Sequence, residues 1–279
     1  MKAIFPAEID GDLLKLVHLT NGFRMIPGQT PLQVGDVCQA EAKIISVINN
    51  DSGKVVKVKG SVNRHGAPVI EVTSSFLYRG NFTDYENTFE IVEEPAYVVE
   101  ITSKADVAVL QSKEWFEWKD ETKPLLPGTK LIFKVTSEYT YKDKVNFAEV
   151  EIEGEVFVRN HLRELIPVAY IDHEQGPSQG NVVTAYLQRH GVPEARLSKF
   201  ENGGYHMTSS KVSSRFFTPL TNEPYSKISG DFNPIHINPY FSNYASLPGT
   251  ITHGMWSSAA TRRYIEDFVA EGRPERVTK

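Results

Sequence analysis

Apolar positions change their period several times along this chain. Over residues 11–23, Leu13, Leu14, Leu16, Val17 and Phe23 fall at spacings that predict a short helix. Beyond Pro27, Gly28, Pro31 and Gly35 the period becomes two. Cys38, Ala40, Ala42 and Ile44 alternate with Gln39, Glu41 and Lys43, as in a strand with one wet face. Asn49-Asn50-Asp51-Ser52-Gly53 has turn composition, and Lys54–Val62 alternates again. Arg64-His65-Gly66-Ala67 then turns the chain into Pro68–Tyr78, which completes a predicted three-stranded antiparallel meander.

A second β-rich block begins near Phe89. Strands are predicted at Tyr97–Ile101, Val107–Leu110 and Trp115–Trp118, with Leu131–Tyr139 and Val145–Val158 as a hairpin turning near Asp143. Residues 164–178, with Pro167, Gly176 and Pro177, read as a linker, and Gln179–His190 as a helix closed by Gly191 and Pro193. Strand-like Lys211–Phe217 follows. A final helix is predicted from about Thr252 to Glu271, with Thr252 as N-cap and Gly272 and Pro274 as the stop. Its stripe of Trp256, Ala260, Tyr264 and Phe268 reads as core packing.

Composition narrows the class. The chain has 279 residues, 40% hydrophobic and 23% charged, enough for two modest globular domains. No apolar run reaches the ~20 residues that cross a bilayer. Met1–Glu8 lacks the apolar core of a secretory signal. The lone Cys38 has no internal disulfide partner, which fits a reducing compartment. A net charge of −5 with scattered Lys and Arg argues against a nucleic-acid binder.

The candidate chemistry lies in Ser229-Gly230-Asp231-Phe232-Asn233-Pro234-Ile235-His236, where a carboxylate, an amide and an imidazole share one short turn. Pro234 fixes its own φ and biases Asn233 away from helix, so the turn is stiff. Pro248-Gly249-Thr250-Ile251-Thr252-His253-Gly254-Met255 follows and opens onto the last helix. Taken singly these are bland: Asp-x-Asn-Pro is ordinary turn composition, and Gly249 and Gly254 could serve only a loop and a helix entry. Other clusters are weaker. Asp172-His173-Glu174 is metal-like in composition alone, Asn202-Gly203-Gly204 lacks a phosphate-loop partner, and no Gly-x-Ser-x-Gly elbow occurs.

The whole string from Gly230 to His236, followed 17 residues after His236 by His253-Gly254-Met255, resembles the signature of the MaoC-like, or (R)-specific hydratase, hot-dog family. That family adds or removes water across the C2–C3 bond of an acyl thioester. The chemistry needs a base for the C2 proton, an acid for the C3 hydroxyl and donors for the thioester oxygen. His236 is read as taking the C2 proton and Asp231, directly or through a water, as handling the C3 hydroxyl, with the reverse order open, and Asn233 as an orienting group. The resemblance implies Gly254, with Gly249 in the same stretch, as the substrate-binding glycines that receive the thioester. His253 reads as structural.

A closer resemblance is to the dehydratase region of fungal fatty acid synthase β subunits. Glu223–His236, Phe241–Met255, Asp10–Leu19 and Tyr78-Arg79-Gly80 carry it, and it spans essentially the whole chain. It implies an α+β fold of multiple hot-dog units, curved antiparallel sheets around a central helix, with the first and last units cut. Residues 1–80 would end a first, non-catalytic unit and 81–163 form a second non-catalytic β block. Residues 164–200 would be a linker with a helix, and 201–279 would begin the catalytic unit. The implied enzyme is a cytoplasmic 3-hydroxyacyl-carrier dehydratase with no bound cofactor or metal. Its substrate rides on the phosphopantetheine of an acyl carrier domain, and its partners are the remaining α and β parts of a synthase, not nucleic acid or membrane. Lys211, Arg215, Arg262 and Arg263 are candidate docking charges. A structural hot-dog module and a stand-alone enoyl-CoA hydratase are the competing readings, and the cut units lead to the expectation that the isolated chain is inactive.

Overall fold

The computed structural model describes residues 9, 11–119, 123–177, 180–194 and 216–277. They divide into two compact units, one formed by Met1–Thr83 with Gly203–Lys279 and the other by Asp84–Asn202.

In the first unit four strands form an antiparallel sheet in the order β1-β4-β3-β2: β1 Leu16–Met25, β2 Cys38–Asn50, β3 Gly53–Arg64 and β4 Ala67–Arg79. The predicted meander is β2 to β4. Its first turn is set locally, because Asn50 Oδ1 accepts the N–H groups of Ser52 and Gly53, both at 2.9 Å. Gly53 has φ +150°, and a Cβ there would lie 2.0 Å from the Tyr78 carbonyl oxygen, so only glycine lets β3 start against β4. Val47, Val56, Val58, Val69 and Tyr78 are buried on this sheet.

The helix predicted over residues 11–23 is a strand. Only Leu13–Lys15 turn, as a 3₁₀ element capped by Asp12, and Leu16 onward pairs with β4 from Leu16↔Tyr78 to Met25↔Ile70. A register shift between His18 and Thr20 breaks the two-residue alternation. That bulge is why the apolar spacing imitated a helix.

The described residues 216–277 of this unit carry helices: α1 Glu223–Ser229, α2 Pro234–Ile237, α3 Pro239–Tyr244 and α4 Gly254–Phe268, then a 3₁₀ turn at Pro274–Arg276. The Arg79 guanidinium donates to the Ala245 carbonyl, tying β4 to the end of α3. Helix α4 packs beside β1. It starts two residues later than predicted, with His253 rather than Thr252 at the N-cap, and it stops at Phe268. The Trp256, Ala260, Tyr264 and Phe268 stripe is not core: no α4 residue is fully buried, and Phe268 is 57% exposed. Phe216 meets Trp256 and Tyr264 along it. Most of the predicted Lys211–Phe217 strand lies outside the described residues.

In the second unit the strands are β5 Phe89–Glu93, β6 Tyr97–Glu100, β7 Phe116–Trp118, β8 Lys130–Tyr141, β9 Phe147–Arg159, β10 Leu165–Gln175 and β11 Gly191–Pro193. Long β8 takes β5 and β6 along one edge and β9 along the other, and β10 and β7 continue from β9. The β8–β9 turn forms where predicted, since Asp143 Oδ1 accepts the N–H groups of Val145 and Asn146 at 2.8 Å. One helix, Val182–His190, sends Val183 and Leu187 into a core with Val99, Leu131, Phe133, Val135, Val150, Ile152 and Ile171.

Two expectations fail in this unit. Val107–Leu110 lies in a helix, Lys104–Gln111, because Ser103 and Asp106 form a reciprocal capping box, and Leu110 is buried with Val107 packed against the core. Residues 165–175 are strand β10 rather than linker. Pro167 is accommodated because it sits at a register shift against β9, where no ladder N–H is needed. Residues 195–200 of the expected linker lie outside the described residues.

Antiparallel sheets with few helices place the chain in the α+β class and agree with the hot-dog architecture. Among the described residues no helix is long and apolar enough to cross a membrane.

Candidate active site

The site is built by two turns that meet. Helix α1 ends on Gly230 in the left-handed region at φ 73°, which reverses the chain into Asp231. Asp231 Oδ1 accepts the Asn233 N–H at 3.1 Å, and Asn233 Oδ1 in turn caps α2 by accepting from Ile235. With Pro234 at the first helical position, this short helix has a fixed start. It delivers His236 in its only turn.

His236 is oriented from the second stretch. Its Nδ1 lies 2.8 Å from the Ile251 carbonyl oxygen. A carbonyl only accepts, so Nδ1 carries the proton, and in the neutral ring Nε2 is left with its lone pair free. Buried Asn222 clamps the same junction, its Nδ2 donating to the His236 carbonyl at 2.8 Å and the Ile251 carbonyl at 3.1 Å.

His253 lies within this arrangement rather than at its margin. Its side chain is 1% exposed, and its ring stacks on His236 at 3.8 Å between centroids. Its Nε2 is 3.1 Å from the Asp231 carbonyl oxygen and 3.4 Å from Ser226 Oγ. The Asp231 carboxylate comes to 3.9 Å from that nitrogen and stays 45% exposed, open to a ligand. One donor atom each from Asp231, His236 and His253 falls within 4.8 Å of the others. That is close enough for a metal, yet stacked imidazoles aim their in-plane lone pairs along nearly parallel planes and not at one ion. The set suits proton transfer better than chelation.

Burial pushes the His236 imidazole below its ordinary value of 6.5. The Ile251 carbonyl opposes this, the neighbouring His253 adds to it, and Asp231 opposes it. The ring is therefore neutral at neutral pH, as a base must be.

Gly254 is the first residue of α4, and no side chain caps that helix, so its leading N–H groups are open at the positive end of the dipole. A Cβ at Gly254 would sit 2.9 Å from His18 Nδ1. His18 comes from β1, more than 200 residues away in sequence, and carried no signal beyond being a histidine in an apolar stretch. The Gly249 carbonyl accepts the Ser242 hydroxyl, and a Cβ at Gly249 would meet nothing within 4 Å. The Asn233 side chain caps α2. Of the docking candidates, Arg262 is paired with Glu266 and Arg263 with Asp267, while Lys211 and Arg215 lie outside the described residues.

Comparison with known proteins agrees with this geometry. Residues 204–279 match the MaoC like domain, residues 1–72 the FAS1-like dehydratase domain region, and residues 89–187 the insertion domain of fatty acid synthase subunit beta. Over 99% of its length the chain is 48% identical to the fatty acid synthase subunit beta of Saccharomyces cerevisiae, and 48% identical to that of Schizosaccharomyces pombe. Along nearly its whole length the chain is similar to fatty acid synthase β subunits. It spans 13% and 14% of the length of those two relatives. Among solved structures, the MaoC-like dehydratase from Phytophthora capsici aligns over 58% of this chain and 73% of that one, at 10% identity and a TM-score of 0.22, too loose to bear on the fold.

Proposed function

We propose that this chain dehydrates (3R)-3-hydroxyacyl thioesters to trans-2-enoyl thioesters during fatty acid synthesis. The observation that carries the reading is the commitment of His236 Nδ1–H to the Ile251 carbonyl, which leaves Nε2 as a neutral base on a ring that has one nitrogen within 4.8 Å of the Asp231 and His253 donor atoms. His236 Nε2 takes the C2 proton, and the electrons of that C–H bond form the C2=C3 double bond as the C3–O bond breaks. The departing oxygen, held by the Asp231 carboxylate directly or through one water, receives the proton that His236 took from C2 and leaves as water, which returns His236 to its neutral state. Negative charge on the thioester oxygen meets the Gly254 N–H at the start of α4.

No bound cofactor is needed for this sequence of steps. The acyl chain would arrive on the phosphopantetheine arm of an acyl carrier domain, and the partners would be the other α and β parts of a cytoplasmic synthase. The exposed, unpaired Cys38 supports a reducing compartment. The unit Asp84–Asn202, which includes the match to the insertion domain, would brace the assembly rather than react. The test is turnover of Asp231→Asn and His236→Ala within the native synthase, using hydration of a crotonyl thioester. Each is expected to lose about 10²–10⁴-fold in rate; near-normal turnover in both would end the reading.

A further inference from the structure

We infer that His18 is a substrate-positioning residue whose Nδ1 accepts a hydrogen bond from the amide N–H next to the thioester in the carrier's pantetheine arm. This rests on the reading of the Gly254 N–H as the thioester donor. Three observations hold the His18 ring in one pose. Its Nε2 lies 2.9 Å from the Thr20 carbonyl oxygen, across the register shift of β1, so Nε2 carries the proton and Nδ1 presents a lone pair. Its face stacks on Phe76 of β4 at 4.7 Å and 24°. Its Nδ1 edge packs toward Gly254, 2.9 Å from where a Cβ would stand, so the ring adjoins the start of α4.

The ring is also within electrostatic reach of the reacting carboxyl. Burial lowers the His18 imidazole from its ordinary value, while the Thr20 carbonyl and Asp231 oppose the shift. His18 is therefore neutral at neutral pH and offers an acceptor, not a positive charge. An acceptor is the wrong partner for a thioester oxygen and the right one for an N–H. In a pantetheine thioester the nearest N–H lies two methylenes beyond sulfur. A thioester oxygen seated on the Gly254 amide brings that N–H to the neighbouring wall, and β1 forms that wall with His18. Among the described residues, His18 Nδ1 accepts no hydrogen bond from the protein.

The experiment compares two crotonyl thioesters in the native synthase, one of N-acetylcysteamine, which keeps this amide, and one of a simple alkyl thiol, which lacks it. His18→Phe retains the stacking on Phe76 and removes the acceptor. It is expected to raise KM about tenfold for the amide-bearing thioester while leaving kcat within about twofold, and to leave both constants unchanged for the alkyl thioester. His18→Ala is the second variant, and the same selectivity between the two substrates is expected of it. Equal losses on both thioesters, or none on either, would overturn the role of His18. Failure of the catalytic reading gives a different pattern: Asp231→Asn would then hydrate both thioesters as fast as the parent protein.

Discussion

His236 and His253 stack face to face, 3.8 Å between ring centroids and 25° between planes, with the Asp231 main chain bonded to the lower ring. The relationship has an electrostatic consequence. A proton on His236 is opposed by the neighbouring His253, and His236 is already lowered by burial. The limb of kcat/KM that reports the base should therefore lie below 6.5, with activity falling as pH drops through it. Replacing His253 by Phe keeps the stack and removes the second imidazole, which shifts that limb upward. A pH–rate profile of both proteins measures it, and a limb at or above 6.5 in the parent protein would contradict the assignment.

The same shift makes a stability statement. The folded state holds His236 and His18 below their ordinary values, so at mildly acidic pH the unfolded chain binds more protons than the folded one. Their contribution is fully present above about 6.5 and is lost as pH falls from there toward the lowered folded values. Urea midpoints taken through that window should decrease on acidification. The decrease should shrink when His18 and His236 are both replaced by Gln.

Much of this site could be read from the sequence because it is local. Asp231, Asn233 and His236 lie on one turn whose geometry is set by Gly230 and Pro234, and the residues that make it stiff are the ones that make it recognisable. The β2–β4 meander was readable for the same reason, since its alternation and turn residues are contiguous. What failed depended on pairing across distance. The bulge in β1 disguised a strand as a helix, and Pro167 disguised β10 as a linker. His18 reaches Gly254 only through the packing of β1 beside α4, which no local pattern encodes. His253 does stand at the helix entry, while its stacking on His236 is not visible in a motif.

Gly254 should be intolerant of any side chain for a reason separate from ligand access. A Cβ there would fall 2.9 Å from His18 Nδ1 and 3.1 Å from its Cβ and Cγ. Gly254→Ala is expected to lower the melting midpoint, and His18→Ala in the same chain to restore most of that loss, because the two positions share one space. A double variant no more stable than Gly254→Ala alone would show that the contact is relieved some other way.

Asn222 offers the sharpest test of how the two turns are joined. It is buried, and its single Nδ2 group donates to the His236 and Ile251 carbonyls, the second of which also holds the His236 ring. Asn222→Ala removes both donors at once, leaves a buried carbonyl short of a partner and frees the Ile251 strand of the loop to drift. The cost expected is about 2 kcal/mol of stability. Because the Nδ1–H anchor of His236 drifts with Ile251, kcat should fall about tenfold or more while KM changes little, a split that a loss of stability alone would not give. Asn222→Asp is the informative companion. It keeps the shape but replaces the donor with a carboxylate facing two carbonyl oxygens, so it should be at least as damaging as alanine. If Asn222→Asp retained parental turnover, the clamp would not be what orients the base.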